Sequence, residues 1–484
     1  MKVLFATSEA VPFAKSGGLG DVAGALPLEL TKTRDMEVCV FLPYYHSIKY
    51  NSAFSIEYVC HFTMPLAWRQ TYVGIFRAII KNRGVGKNKR HDLVYYFIDN
   101  EYYFGRDGYG YSDDGERYAF FSKAVLEALY HIDFTPDVIH CNDWQTAFLP
   151  LFFKAFFQKD PRFSHIKTML SIHNIEYQGK ADPSFIPEVL GVDQTWHGAV
   201  LFDGLVNALK TGIVLADQIT TVSETYAFEL RHAYFAHGLA GILGQNAYKL
   251  TGILNGIDTT LYNPATDTAL FTNYRISDIS GKAENKERLQ MQLGLSPAPD
   301  TPLVAIVSRL VAHKGMELCE YVADALCESG IQLIVLGTGD KRFEDCFRAL
   351  AERHRGSVST NILFDSTLAN RVYAGADFLL MPSKSEPCGI SQLIAMRYGT
   401  IPIVRETGGL VDTVPPLNTE TGEGVGFTFK CYNAHDMLGA VQRAVAFYQN
   451  QALREKVVKS IMRIDHSWKT GAARYIDIYK SLCE

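Results

Sequence analysis

The stretch Leu303-Val304-Ala305-Ile306-Val307-Ser308-Arg309-Leu310-Val311-Ala312-His313-Lys314-Gly315-Met316 decides the fold. Its apolar opening has no polar alternation, so it reads as a strand, Leu303–Ser308, buried on both faces. Two cations leave the strand end, and Met316–Glu328 then reads as a helix. Strand, loop and helix in this order make one unit of a parallel sheet. The pattern recurs downstream, with strands expected at Gln332–Gly337, Asn361–Phe364, Phe378–Pro382 and Ile401–Val404. Helices are expected between them at Phe343–His354, Leu368–Gly375 and Ile390–Tyr398.

The first half carries the same rhythm. Strands are expected at Lys2–Thr7, Val38–Leu42, Val138–Cys141, Lys167–His173 and Gln218–Val222, with helices near Leu19–Leu30, Glu116–Tyr130, Trp144–Phe157 and Asp203–Leu215. Residues 54–98 alternate instead, as Phe54–Thr63, Tyr72–Ile80 and Leu93–Ile98, with a Gly- and Lys-rich hairpin tip at Asn82–Asp92. The expectation is an α/β protein of two doubly wound Rossmann-like domains facing across a cleft, joined near Leu243–Thr260. Ligands bind at the carboxyl ends of such strands.

A chain of 484 residues is too long for one ordinary core. Lys plus Arg is 47 against 52 Asp plus Glu, a net charge of -5 that argues against nucleic-acid and membrane-surface partners. The opening residues do not read as a targeting segment. No uncharged apolar run reaches the ~18 residues of a membrane span. The nine cysteines are scattered with no C-x-x-C, so they read as thiols of a reducing compartment, and a cytoplasmic enzyme is expected.

Six motifs follow strands. Lys15-Ser16-Gly17-Gly18-Leu19-Gly20-Asp21 is a glycine loop whose N–H groups and helix start suit an anion. Phosphate or sugar binding is preferred to a bare tight turn because Lys15 and Asp21 flank the glycines. The loop also fits a dinucleotide fingerprint, but the second strand ends Phe41-Leu42-Pro43-Tyr44, without the acid that would hold a ribose. In His140-Cys141-Asn142-Asp143-Trp144, Asp143 stands equally as a helix N-cap and as a sugar-hydroxyl acceptor. His173-Asn174-Ile175-Glu176-Tyr177-Gln178-Gly179 offers a histidine able to serve a ligand or to cap and pack.

In the second half, Arg309 and Lys314 suit a diphosphate better than a solvated basic loop. Ser385-Glu386-Pro387-Cys388-Gly389-Ile390-Ser391-Gln392 is a turn that can hold Glu386 toward a ligand, or leave it compensating a helix dipole. Glu406-Thr407-Gly408-Gly409-Leu410 is a second glycine loop able to approach a ligand. Asp-x-Asp, G-x-x-x-x-G-K-[ST], H-E-x-x-H and G-x-S-x-G are all absent.

In order and together, these motifs resemble the bacterial glycogen synthases and plant starch synthases that use ADP-glucose. The likeness runs through to His466-Ser467-Trp468-Lys469 and includes Leu254-Asn255-Gly256-Ile257-Asp258. It implies a GT-B fold with domains at 1–245 and 255–464, and a final helix, 465–484, returning to the first. It implies retaining transfer of glucose to the non-reducing 4-OH of an α-1,4-glucan such as glycogen, starch or a maltooligosaccharide. Neither metal nor pyridoxal phosphate is implied. Arg309 and Lys314 would hold the diphosphate, assisted by Gly18 N–H and Ser391, and Lys15 would lie near donor and acceptor. Glu386 would bind glucose hydroxyls, and His173 would lie beside the anomeric centre. Asp21, Asp143, Asn255, Thr407 and Cys388-Gly389 would complete the donor site, and Phe364 would stack on adenine.

Retaining hydrolases use a second carboxylate as nucleophile. Here the E-x7-E pattern of related transferases is broken by Ile394, so front-face attack is the expected route. Aromatic residues crowd positions 95–121. Core packing accounts for 95–97 and 118–121. In the loop 102–111 packing and a glucan track stand level, with Tyr109 and Tyr111 as candidate acceptor contacts whose loss would spare donor affinity. The rival readings are another GT-B glycosyltransferase, a Rossmann oxidoreductase, a phosphorylase and a non-catalytic glucan-binding scaffold.

Overall fold

The apolar runs of the two halves form two separate, mostly parallel sheets. The computed structural model describes residues 1–81 and 91–484. They divide into a first unit, Met1–Asn255 with Trp468–Glu484, and a second, Gly256–Ser467. The divisions expected after 245 and 464 thus fall after Asn255 and Ser467. Of the expected hairpin tip at Asn82–Asp92, positions 82–90 lie outside the described residues.

The first unit holds β1 (Lys2–Ala6), β2 (Glu37–Pro43), β3 (Glu57–Leu66), β4 (Arg69–Ile80), β5 (Leu93–Asp99), β6 (Val138–Asn142) and β7 (Lys167–Ile172). The short strands β8 (Lys180–Ala181), β9 (Leu201–Phe202) and β10 (Leu205–Asn207) follow, then β11 (Gln218–Thr221) and β12 (Leu250–Gly252). The main sheet runs β12-β11-β7-β6-β1-β2-β5-β4-β3. β1 lies at its centre, Val3 opposite both Val38 and Val138. Val3 to Ala6 are fully buried, which is why this strand shows no alternation. β4 pairs antiparallel with β3 and β5, and this meander at the edge accounts for the alternating pattern of 54–98.

The final helix, Trp468–Cys483, belongs to this unit. Tyr475 and Tyr479 on it are fully buried. The Tyr479 hydroxyl meets His140 Nδ1 at 2.7 Å, and His140 Nε2 meets Ser171 Oγ at 2.6 Å. Burial holds the His140 imidazole well below its usual pKa, so it is neutral, with one nitrogen donating and the other accepting.

Two expected helices of this unit differ. Trp144–Phe157 breaks into a 3-10 turn, Trp144–Thr146, a helical turn, Leu149–Phe152, and a π turn, Phe153–Phe157. Pro150 has no N–H for the carbonyl of Thr146, whose hydroxyl instead turns back to Asn142. The helix expected from Asp203 begins at Ala208. Asp203 and Gly204 both take positive φ, 54° and 78°, and make the tight hairpin turn between β9 and β10.

The second unit is a six-stranded sheet, all parallel, of β13 (Leu303–Val307), β14 (Gln332–Leu336), β15 (Val358–Asn361), β16 (Phe378–Met381), β17 (Ile401–Arg405) and β18 (Phe427–Phe429), in the order β15-β14-β13-β16-β17-β18. β15 corrects the expected Asn361–Phe364: it ends at Asn361, and Phe364 lies in the following loop. The helix expected at Met316–Glu328 is interrupted at Val322. Helices Ser280–Gln292, Ala434–Tyr448 and Gln451–Ile461 complete the unit. Among the described residues no helix is long and apolar enough to cross a membrane.

Candidate active site

In the first unit the glycine loop is built around a carboxylate that sequence reasoning passed over. Glu9 is 4% exposed. It accepts from the Ser16 N–H, from the Ser16 hydroxyl at 2.7 Å and from the Gly17 N–H at 3.1 Å. Burial raises its pKa against those hydrogen bonds. Two of the N–H groups expected for an anion are therefore already engaged, and Gly18 opens the Gly18–Leu30 helix behind them. Lys15 folds back to Asp21, Nζ to Oδ1 2.7 Å, across Gly20, where a Cβ would meet the Lys15 side chain at 3.1 Å. Burial also raises Asp21, with Lys15 opposing.

The second and third motifs interlock. Asp143 is no side-chain N-cap. Its backbone holds φ 57° and ψ -174°, a region that costs a non-glycine residue about 1–3 kcal/mol. That conformation sends its carboxylate across to the end of β7, where Oδ1 accepts from the N–H groups of His173 at 2.6 Å and Asn174 at 3.1 Å. Burial pushes its pKa up to about 7 against those two bonds. Asn142 donates to the Ala6 carbonyl at 3.0 Å, so its Oδ1 faces His173 Nε2 at 2.9 Å as an acceptor. His173 is lowered by burial to about 4 and is neutral, with its proton on Nε2 and a lone pair on Nδ1. Gly179, φ 62°, lies where a Cβ would strike the Trp144 ring at 2.3 Å.

The aromatic loop has its own frame. Arg117, fully buried, donates to the carbonyls of Tyr103 at 2.8 Å and Gly108 at 3.0 Å. Asp114 accepts from the N–H groups of Gly110 and Tyr111 at 2.6 and 3.1 Å. Tyr109 is half exposed, its hydroxyl 2.7 Å from that of Ser16. The Tyr111 ring lies against the guanidinium groups of Arg106 and Arg117, 4.4 and 4.9 Å from its centroid. Asn255 is buried, and its Oδ1 has no hydrogen-bond partner among the described residues.

In the second unit the three late motifs converge. Lys314 Nζ meets Glu386 Oε2 at 2.6 Å, and Ser383 donates to the same oxygen at 2.9 Å. Close backbone approach makes this possible. Gly315, φ 79°, sits against the Pro382 carbonyl, where a Cβ would come within 2.0 Å. Lys384 N–H donates to the His313 carbonyl at 2.9 Å. The second glycine loop serves the turn beside it: Gly409 N–H donates to the Glu386 and Pro387 carbonyls at 3.1 Å, and a Gly409 Cβ would lie 2.4 Å from Cys388 Cα. Gly408 and Gly409 thus support the Glu386–Gly389 turn. Thr407 and Cys388 are buried, Gly389 takes φ 75°, and Ser391 opens the Ser391–Arg397 helix.

Arg309 is exposed and has no carboxylate partner among the described residues; its guanidinium meets only His313 Nε2 at 3.4 Å. Phe364 stands apart, 80% exposed. Ile394 is buried in the core. Among the described residues no three His, Cys, Asp or Glu side chains group as a metal site would require.

The profile of the starch synthase catalytic domain matches residues 2–245, and that of glycosyl transferases group 1 matches 294–460. The chain is 46% identical over 487 residues to a glycogen synthase of Clostridium novyi, covering 100% of this chain and 99% of that one. It is 46% identical over 489 residues to a glycogen synthase of Bacillus anthracis, with 100% of both covered. Among solved structures it is similar to the catalytic domain of starch synthase IV from Arabidopsis thaliana bound to ADP and acarbose, with TM-score 0.90, 32% identity, and 100% and 99% of the two chains covered.

Proposed function

Because the chain belongs to the family of glycogen and starch synthases, we propose that it transfers glucose from ADP-glucose to the non-reducing 4-OH of an α-1,4-glucan, with retention and without a metal ion. The chain is a glucosyltransferase whose two Rossmann-like units are those of the GT-B fold. Donor, stereochemistry and metal independence go beyond that likeness. The ADP and acarbose in the Arabidopsis structure support an adenine nucleotide and a glucan.

The observation that carries the reading is the Lys314–Glu386 pair, 2.6 Å apart in the second unit. It sets a cation for phosphate beside an acceptor for sugar hydroxyls. Arg309 and Lys314 neutralise the leaving diphosphate, with the Gly18 N–H and Ser391 assisting. Phe364 offers its exposed ring to adenine. Glu386 takes glucose hydroxyls and favours the cationic sugar, while Asp21, Asp143, Asn255, Thr407 and Cys388-Gly389 complete the donor set. Lys15 serves donor and acceptor, and Tyr109 and Tyr111 belong to the acceptor loop. The scattered cysteines, with no C-x-x-C, suit a reducing cytoplasm.

In the step itself the bond from anomeric carbon to diphosphate oxygen breaks, and the acceptor O4 bonds to that carbon on the same face. The O4 proton passes to the leaving phosphate. Fixed donors at a developing charge are worth about 10²–10³ in rate each, and this is the part given to Arg309 and Lys314. Neutral His173, its Nε2 proton committed to Asn142, supplies a main-chain carbonyl and the Nδ1 lone pair rather than a proton.

The test is incorporation of labelled glucose into glycogen in the presence of EDTA, from ADP-glucose or UDP-glucose. Strong incorporation from ADP-glucose supports the reading. Preference for UDP-glucose discards the adenine assignment, and no incorporation from either discards the acceptor. A slow fluorinated donor that left a covalent sugar on an Asp or Glu would overturn front-face attack.

A further inference from the structure

The first unit contains a cavity of about 330 Å³ lined by none of the residues assigned above. Lys123, Glu127 and Tyr130 reach it from the Asp114–Ala128 helix and the turn that follows, Phe156 from the π turn, and Ala67 and Gly191 from loops. Lys123 is 6% exposed, yet its ammonium makes no hydrogen bond or ion pair among the described residues. It lies over the rings of Phe156 and Phe152, 4.7 and 6.0 Å from their centroids. Burial lowers its pKa, with the Glu127 carboxylate opposing. Phe156 is 45% exposed, and Trp68, next in the chain to Ala67, is 79% exposed.

A lone ammonium suits an anion, but Glu127 lines the same cavity and offsets that charge. Burial raises the Glu127 pKa, and the two side chains stay beyond ion-pair distance although they are one helical turn apart. A donor and an acceptor held apart beside an open aromatic face match a neutral polyhydroxylated ring: hydroxyls reach Lys123 and Glu127, and the C–H face lies on Phe156. The volume is at the small end of ligand pockets, about 300–1,000 Å³, which fits one or two sugar units.

We propose that this cavity binds a segment of the α-glucan acceptor remote from its reacting end, an inference that rests on the proposed function. Asp114, which frames the Tyr109 loop, starts the helix that carries Glu127 roughly 20 Å further along at about 1.5 Å per residue. A polymer can engage both places, and a second attachment raises the local concentration of chain ends.

The test is electrophoretic retardation in gels cast with glycogen, for the unaltered protein, Phe156→Ala and Lys123→Met, with transfer kinetics in parallel. The expected result is retardation weakened about 3- to 10-fold in both variants, a matching rise in KM for glycogen, and unchanged kcat and KM for ADP-glucose. Phe156→Ala removes an exposed ring and carries the test if Lys123→Met fails to fold. Equal retardation of Phe156→Ala and the unaltered protein overturns the proposal while leaving the synthase reading intact. An unaltered protein that is neither retarded by glycogen nor able to extend it overturns both.

Discussion

The hydroxyl of Tyr109 stands 2.7 Å from that of Ser16. Ser16 Oγ donates in this contact and also lies 2.7 Å from the Glu9 carboxylate, so the aromatic loop is bonded directly to the loop that carries Lys15. Removing the hydroxyl in Tyr109→Phe should raise KM for ADP-glucose as well as for glucan, each about 2- to 12-fold, in keeping with about 0.5–1.5 kcal/mol for a hydrogen bond. This replaces the sequence-based expectation that donor affinity is spared. Steady-state kinetics with each substrate varied in turn would decide; a change confined to glucan restores the original expectation.

Lys314→Ala leaves the Glu386 carboxylate, in a residue 5% exposed, with only Ser383 as a partner among the described residues. Breaking a buried pair costs about 3–5 kcal/mol, and losing a fixed charge at the leaving group about 10²–10³ in turnover. Adding Glu386→Gln should recover most of the lost melting temperature but none of the turnover. Thermal melts and kcat on single and double variants separate the two effects; recovery of turnover in the double variant would remove Lys314 from the chemistry.

Gly409→Ala forces a methyl to within 2.4 Å of Cys388 Cα. The turn that presents Glu386 must shift, at a cost of about 1–3 kcal/mol, and transfer should fall with it. Gly241→Ala is the matched control: its Cβ meets nothing within 4 Å, in a helix where alanine is favoured by about 0.5–1 kcal/mol. Denaturant midpoints should move in opposite directions.

Buried neutral histidines set the response to acid. As pH falls below about 6.5 the unfolded chain binds a proton that folded His140 refuses, so stability is lost on acidification. His173 and His466, both lowered to about 4 by burial, act in the same sense. Asp143, raised to about 7, works the other way, its contribution present below about 4 and lost by pH 7. His140→Gln should be less stable at pH 7 but lose stability less steeply from pH 6.5 to 5, by up to about 1.4 kcal/mol per pH unit. Identical slopes in denaturant titrations would rule His140 out as a contributor.

Much of this was legible in the chain because parallel strands bury both faces and put their chemistry at one end. Leu303–Val307 declared itself by its lack of alternation, and with it the place of Arg309 and Lys314. What escaped depends on contacts distant in sequence. Nothing beside Glu9 marks it as the carboxylate that organises residues seven and eight positions away. Asp143 looked like an N-cap because its real partners, His173 and Asn174, lie just past the end of another strand, β7. Phe364 was drawn into a strand because Asn361–Phe364 is apolar at its end, while the pairing of β15 with β14 stops at Asn361. The Asp203-Gly204 dipeptide was a readable hairpin signal that the helical pattern around it concealed.

The bond between His140 and Tyr479 has a consequence for how the protein is made. Its partners are 339 positions apart in the chain. During synthesis the ribosome delivers all of Gly256–Ser467 before Tyr479 emerges, so the later unit can close while the earlier one still lacks the helix that covers His140. The order of birth and the order of completion are reversed: the first part of the molecule to leave the ribosome is the last to be finished.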